Sequence, residues 1–156
     1  MAQLTTTLLL ESEKDTDHLG QTLSAFAAPG DCILMRGQIG AGKSALARAF
    51  IRARLGADTD VPSPTFTLVQ TYEHEDVEIW HADLYRLTDP QEVVELGLVD
   101  AMEDQICLIE WPELLDDISP AKALDIQLEV LPNAHRATLT YGEHWRNRVR
   151  SIDSDA

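Results

Sequence analysis

The chain has 156 residues and a formal net charge of −15 at pH 7, which suits a single domain and argues against nucleic-acid binding by bulk electrostatics, because that needs a basic face. Residues 32–57 hold five basic and no acidic residues, so we expect one locally positive region on an acidic body. No stretch approaches about 18 apolar residues and the N-terminus has no basic leader, so we expect no membrane span, no signal peptide and a cytoplasmic protein.

The N-terminal part predicts alternating strands and helices. Residues 5–10 predict a strand, and Asp15 or Thr16 can cap the helix that follows. The short apolar run CILM, bounded by turn residues, predicts a buried strand. The segment KSALARAFIRARLG predicts a helix, because its apolar residues recur at helical spacing and Gly56 is a typical C-terminal stop. This order favours an α/β domain.

The rest of the chain continues the alternation. After a proline-rich loop, FTLVQTYEH and VEIWHAD predict two strands joined by an acidic turn. Asp89, Pro90 and Glu92 predict a helix start with a capping box, and ICLIEW predicts another buried strand. LDIQLEV and RATLTY predict an antiparallel hairpin at a sheet edge, followed by a last helix, EHWRNRVR. We therefore expect a three-layer α/β domain with a mostly parallel sheet over residues 1–145, and a polar tail over residues 146–156.

The segment GQIGAGKS fits the phosphate-loop spacing G-x-x-x-x-G-K-[ST] between a predicted strand and a predicted helix. Such a loop wraps a polyphosphate with backbone N–H groups, and the helix directs its positive N-terminus at the same phosphate. The lysine adds a full charge on the β- and γ-phosphates, and the serine hydroxyl can hold Mg²⁺. An Asn-Lys-x-Asp motif is absent from the sequence, which favours adenine over guanine. The expected nucleotide contacts are Gly37, Gln38, Ile39, Gly40, Ala41, Gly42, Lys43 and Ser44.

Two acidic residues end predicted strands, Asp83 after VEIWHA and Glu110 after ICLI. In an open parallel sheet the carboxyl ends of the strands line the ligand crevice, so either acid is well placed for Mg²⁺ or for an attacking water. The hydroxyls Ser63, Thr65 and Thr67 lie in the proline-rich loop, where switch segments often contact the γ-phosphate and Mg²⁺. Hydroxyls near prolines also commonly shape turns only.

Four motifs in this order, GQIGAGKS, SPTFTLV, HADLYRL and LIEWPE, resemble the TsaE family, formerly known as YjeE, over about residues 5–141. Its members are small P-loop ATPases of bacterial tRNA threonylcarbamoyladenosine biosynthesis. The resemblance implies a P-loop NTPase fold with an added antiparallel portion, binding of ATP and Mg²⁺, and slow ATP hydrolysis. It also implies work with TsaB and TsaD, which install the threonylcarbamoyl group on adenosine 37 of tRNAs that read ANN codons, while the ATPase resets their complex.

We also expect that the chain contacts tRNA only indirectly, through that complex, that no membrane is involved, and that the chain alone is a monomer or a weak oligomer. The family usually has GDLGAGKT at the phosphate loop, and the serine found here keeps the hydroxyl that binds metal. Three residues are implied to be catalytic: Asp83 for the attacking water, Lys43 for the phosphates and Thr65 as the switch hydroxyl. The other implied roles are Ser44 and Glu110 for Mg²⁺, Trp111 as the neighbouring aromatic, and Arg136 for the nucleotide.

Two other functions stay open on the residues. A small-molecule kinase could use Asp83 to deprotonate a substrate hydroxyl, but such kinases usually need an arginine-bearing lid, and Arg86 is the only arginine in residues 73–129. A nucleotide-dependent switch without a catalytic role would keep the phosphate loop but would not need both acids. His81 and Tyr85, which flank Asp83, are expected to be packing residues.

Overall fold

A mixed sheet of seven strands organises residues 3–154, the part of the chain that the computed structural model describes. The strands are β1 (Leu4–Leu10), β2 (Cys32–Arg36), β3 (Val69–His74), β4 (Val77–Asp83), β5 (Ile106–Glu110), β6 (Leu124–Val130) and β7 (His135–Tyr141). Their order is β1-β7-β6-β2-β5-β4-β3. β6, β2, β5 and β4 are parallel neighbours, whereas the pairs β1–β7, β7–β6 and β4–β3 are antiparallel. The expected α/β class is confirmed, but the sheet is mixed rather than mostly parallel.

Helices pack against both faces of this sheet. They are α1 (Glu13–Phe26), α2 (Lys43–Leu55), α3 (Pro90–Glu95), α4 (Leu98–Asp104), α5 (Glu143–Ser154) and a 3-10 helix (Pro112–Ile118). In β2, Ile33 belongs to the larger hydrophobic cluster and Leu34 to a smaller one, so the clusters lie on opposite faces. α1, α2 and α5 contribute to the larger cluster, and α3, α4 and the 3-10 helix to the smaller, which is consistent with three layers. Within residues 3–154, every helix is too short or too polar to cross a membrane.

α1 and α2 pack closely because a glycine lies at their contact. A Cβ added to Gly20 would lie 2.6 Å from the Cβ of Ala49 and 3.0 Å from the backbone nitrogen of Phe50. Those distances are shorter than van der Waals contact, so only glycine allows this approach. The contact fixes α2, and with it the start of α2 at Lys43, against the rest of the larger cluster.

Several predicted boundaries are confirmed. β2 contains CILM, and α2 starts at Lys43 and ends before Gly56. α3 starts with the predicted capping box, in which Asp89 accepts a hydrogen bond from the backbone N–H of Gln91 and the side chain of Glu92 accepts one from the Asp89 N–H. At these positions, interactions between residues close in the sequence determine where the element starts or ends.

Other local predictions are wrong. The N-cap of α1 is Ser12, without a side-chain capping bond, rather than Asp15 or Thr16. β3 begins at Val69, because a turn closes before it where the N–H of Leu68 donates to the carbonyl of Pro64 at 2.7 Å. α4 and the 3-10 helix were not predicted at all. Each lies in a short segment whose structure depends on packing against the smaller cluster.

The C-terminal part also departs from the prediction. β1 pairs along the whole of β7, so β1 takes the sheet edge and the β6–β7 hairpin lies inside it. The stretch predicted as a polar tail from residue 146 is helical as far as Ser154, and Val149 and Ile152 on it are buried in the larger cluster. The helix continues because its apolar residues keep helical spacing.

Both cysteines are buried free thiols. Cys32 and Cys107 are register partners on β2 and β5. Burial is the main cause that raises the pKa of both thiols, that of Cys107 to about 12. Neither is therefore a thiolate nucleophile at neutral pH.

Candidate functional site

The carboxyl ends of β2, β5 and β4 meet the start of α2 in one crevice. In β4 and β5 alternate residues face α2, as Ile79 and Leu108 do in the larger cluster. The same alternation directs Asp83 and Glu110 to that side, and the two are register partners on adjacent strands. The parallel topology therefore brings together two acids that are distant in the sequence.

The loop between β2 and α2 depends on its glycines. Gly37, Gly40 and Gly42 have φ values of 144°, 85° and 105°. A Cβ on Gly37 would clash with the carbonyl oxygen of Leu128, whereas a Cβ on Gly40 or Gly42 would meet nothing within 4 Å. Close approach selects glycine at the first position and backbone conformation selects it at the other two. Loops of this kind, placed before a helix N-terminus, form anion-binding concavities.

Lys43, the first residue of α2, lies inside the curve of this loop. Its ammonium donates hydrogen bonds to the carbonyls of Gly37 at 2.6 Å and Gln38 at 2.9 Å, and lies 4.1 Å from the centroid of the Trp111 ring. Burial lowers the pKa of Lys43, and the nearby carboxylates, Glu110 first, oppose that shift. Lys43 is buried, and a charged amine that bulk water screens little attracts an anion strongly.

Ser44 and Glu110 form an oxygen pair at the head of α2. The hydroxyl of Ser44 donates to Glu110 Oε1 at 2.9 Å and to Oε2 at 3.2 Å, and the carboxylate is buried. Among the described residues, no group of three or more acidic, histidine or cysteine side chains could hold a metal by itself. Mg²⁺ prefers oxygen ligands, and at phosphate sites it takes one or two from the protein and the rest from phosphates and water. Ser44 and Glu110 fit that requirement.

Asp83 is buried on the strand next to that of Glu110, and two hydrogen bonds hold its carboxylate. Oδ1 accepts from the backbone N–H of Tyr85 at 2.9 Å, and Oδ2 accepts from the hydroxyl of Thr65 at 3.4 Å. Burial is the main cause that raises the pKa of Asp83, the charge of Glu110 adds to the shift, and the two hydrogen bonds oppose it. A buried carboxylate with a raised pKa is typical of an acid–base group.

The loop before β3 contributes one of its three hydroxyls to the crevice. Thr65, which reaches Asp83, also lies 2.8 Å from the hydroxyl of Ser63. Thr67 accepts a hydrogen bond from the side chain of Gln70 at 2.8 Å instead. Thr65 is therefore the hydroxyl that could respond to a ligand in the crevice.

Exposed apolar side chains lie on the segments that line the crevice. Ile39 is 78% exposed, Phe66 82% and Tyr85 58%. The ring of Tyr85 lies 4.8 Å from that of Trp111, whose φ of 56° is unusual for a bulky residue. The expectation that Tyr85 is a packing residue is wrong, because more than half of it is exposed.

Two cavities share the phosphate-loop backbone. The smaller, of about 440 Å³, is lined by Lys43, Ser44, Asp83 and Glu110 among others. The larger, of about 810 Å³, lies between the start of α1, the outer face of α2 and the β6–β7 turn. Gly40 and its neighbours line both. A ligand with a polyphosphate at one end and a larger group at the other would fit the pair.

The structure does not bring Arg136 to either cavity. Its side chain pairs with Glu129 at 2.9 Å and is about half exposed. In β7 the neighbouring Ala137 faces the larger cluster, so alternation directs Arg136 to the opposite face of the sheet. His135 does line the larger cavity. Sequence reasoning missed His135, although the alternation of RATLTY could have indicated that it faces α2.

The sequence and the fold are similar to those of known proteins. Residues 10–138 match the model of a family described as "Threonylcarbamoyl adenosine biosynthesis protein TsaE". A Rickettsia conorii protein named tRNA threonylcarbamoyladenosine biosynthesis protein TsaE is 37% identical over 142 residues, covering 91% of this chain and 81% of the relative. The Bacillus subtilis protein of that name is 34% identical over 117 residues, covering 74% of this chain and 72% of the relative. The crystal structure of YdiB from Bacillus subtilis superposes with a TM-score of 0.74 at 22% identity, covering 99% of this chain and 96% of that one, and indicates a shared fold.

Proposed function

Because the chain belongs to the TsaE family of tRNA threonylcarbamoyladenosine biosynthesis proteins, we propose that it is a Mg²⁺-dependent ATPase of that pathway with a P-loop NTPase fold. The observation that carries the proposal is the convergence of Lys43, Ser44, Asp83 and Glu110 on one small cavity beside the phosphate loop. These side chains supply a cation for the phosphates, oxygen ligands for a metal, and a buried carboxylate for water.

Phosphate binding rests on the loop and on Lys43. Its ammonium lies where the loop backbone curves around the start of α2, so a β- or γ-phosphate placed there would meet both the lysine and the helix N-terminus. The larger cavity would then take the nucleoside, since Gly40 and Gly42 line both cavities. Adenine is proposed on the absence of the guanine-reading motif from the sequence.

Ser44 and Glu110 would hold Mg²⁺. Their oxygens already lie within hydrogen-bond distance of each other, so little rearrangement is needed for both to face one cation. When bound, Mg²⁺ neutralises charge on the β- and γ-phosphates. Burial of Glu110 keeps bulk water from competing for its oxygens.

Asp83 would orient the attacking water and accept its proton. Its raised pKa brings it closer to neutral pH, where a general base is most effective. The N–H of Tyr85 fixes one carboxylate oxygen, and the hydroxyl of Thr65 contacts the other only loosely, at 3.4 Å. Thr65 could therefore move toward a γ-phosphate and link the state of the nucleotide to the loop that carries it.

This loop also offers a surface for protein partners. Phe66 on this loop and Ile39 on the phosphate loop are largely exposed, and apolar groups around a site are typical of interaction surfaces. We propose that TsaB and TsaD bind this surface and that the chain contacts tRNA only through them. We also propose that ATP hydrolysis resets their complex. The net charge of −15 disfavours direct tRNA binding.

Phosphate release from ATP by the purified chain, with and without Mg²⁺ and without any acceptor, tests the enzymatic proposal. Slow Mg²⁺-dependent release that Lys43→Met abolishes is expected. Release only when a small-molecule acceptor is added would identify a kinase instead and refute the proposal.

Gel filtration with TsaB and TsaD tests the partner proposal. A non-hydrolysable ATP analogue should favour co-elution over ADP, and Thr65→Ala should weaken this difference more than it weakens nucleotide binding. Co-elution that ignores the nucleotide would contradict the switch.

A further inference from the structure

His81 makes a buried contact that the roles above leave unexplained. It lies in β4, two residues before Asp83, and is 1% exposed. Its Nε2 lies 2.6 Å from Oε2 of Glu110, which is itself 3% exposed. His81 is buried, as expected of a packing residue, and it also makes a polar contact that packing alone does not require.

The contact holds the Glu110 carboxylate from the side of the adjacent strand β4. Ser44 donates to the same carboxylate from the first turn of α2, on the crevice side. His81 is the register partner of Leu108, one step deeper in the sheet than the pair of Asp83 and Glu110. The carboxylate is thus held between a helix and a strand, and its rotation is restricted at both ends.

The other ring nitrogen of His81 supports a specific role for Nε2. Nδ1 is buried and has no hydrogen-bond partner among the described residues. A buried polar atom without a partner costs free energy, so an apolar side chain like that of Ile79, two residues away on the same strand face, would suit packing better. The ring compensates for this cost by supplying an N–H that is directed at Glu110.

We propose that His81 is a positioning residue for cation binding: its Nε2–H holds Oε2 of Glu110, so that Oε1 and the hydroxyl of Ser44 face the crevice. The inference rests on the proposed function, since it assigns to His81 an effect on Mg²⁺ rather than on the fold. Partners that orient metal ligands commonly change metal affinity by about 10- to 100-fold when they are replaced.

Three variants separate positioning from packing. His81→Gln places an amide N–H near the position of Nε2, and His81→Met fills similar volume without a donor. Ile79→Val removes one methylene from the same strand face without contacting Glu110, and serves as the control for lost packing. The readout is the Mg²⁺ concentration that half-maximally tightens binding of a fluorescent ATP analogue, with analogue affinity in EDTA measured alongside.

We expect His81→Met to raise the half-maximal Mg²⁺ concentration by about 10- to 100-fold, His81→Gln to recover most of the wild-type value, and Ile79→Val to leave it unchanged. Analogue affinity in EDTA should stay the same throughout. Should His81→Met fail to fold, His81→Asn replaces it, since its shorter amide cannot reach Glu110.

If the wild type responds to Mg²⁺ but His81→Gln has the same half-maximal Mg²⁺ concentration as His81→Met or His81→Asn, the inference about His81 is wrong. The proposed function would stand in that case. A wild type whose analogue binding ignores Mg²⁺ would overturn the proposed function and the inference with it.

Discussion

Replacing Asp83 by asparagine changes one charge while keeping the local geometry. The amide oxygen can still accept from the N–H of Tyr85, now 2.9 Å from Oδ1, and the amide nitrogen can donate to the hydroxyl of Thr65. Lys43 and Ser44, which are proposed to hold the phosphates and the metal, keep their own contacts. The variant therefore isolates the loss of a proton acceptor.

The expected effect on hydrolysis is large and the effect on binding is small. A positioned general base contributes about 10²- to 10⁴-fold, which corresponds to about 2.7–5.4 kcal/mol of activation free energy. Removing a negative charge from a buried cavity also favours a polyphosphate there. MgATP should therefore bind Asp83→Asn as tightly as it binds the wild type, or more tightly, while turnover falls.

The same variant should be more stable than the wild type at neutral pH. Burial raises the pKa of Asp83 in the folded chain, so folding favours the protonated carboxyl. The contribution of this group to the free energy of unfolding is fully present below the ordinary pKa of aspartate. It is lost as pH rises through the raised pKa. The stabilising effect of asparagine should then shrink toward zero in acid.

Single-turnover phosphate release, calorimetric titration with MgATP and thermal unfolding at two pH values measure the three effects. Glu113→Gln is the matched control, because it removes a charge near Lys43 from a side chain that is 56% exposed and should leave turnover nearly unchanged. Turnover within a few-fold of wild type, or a loss of MgATP affinity that parallels the loss of turnover, would refute the role of Asp83.

Three further predictions concern other parts of the site and the fold. Lys43→Met should weaken ATP binding by about 1.5–3 kcal/mol, the range for hydrogen bonds to charged groups; unchanged affinity in calorimetry would contradict phosphate binding by Lys43. Glu110→Gln should weaken the Mg²⁺-dependent part of nucleotide binding only, because an amide is a poorer ligand for a hard cation; an Mg²⁺ titration identical to that of Asp83→Asn would contradict the separate roles proposed for the two acids. Gly20→Ala should cost about 1–3 kcal/mol by overpacking α1 against Ala49, which lowers the melting temperature by about 2–12 °C; an unchanged melting temperature would show that the helices can separate at no cost.

The phosphate loop and its surroundings could be predicted from the sequence because their structure is locally determined. Glycine spacing, the flanking apolar strand and the helix signals all lie within residues 32–56. The proximity of Asp83 and Glu110 followed from a general property of parallel sheets, and the register now shows them as partners.

The rest depended on contacts that no local pattern encodes. The hydrogen bond from His81 to Glu110 joins two strands whose neighbour relation is set by the fold. Arg136 faces away from the cavities because strand alternation, rather than its charge, decides its side. β1 pairs with β7 because the whole chain brings them together, and a sequence read in short windows cannot identify that partner.

The pairing of β1 with β7 also has a consequence for how the chain folds. Thr6 and Tyr141, whose hydroxyls lie 2.7 Å apart, come from opposite ends of the chain. On a ribosome β1 emerges first but cannot complete its ladder until β7 has been made, and in refolding such a distant pairing pays a large loop-closure entropy. Since the end of β1 and the β6–β7 turn form two walls of the larger cavity, that cavity is complete only once β1 and β7 have paired.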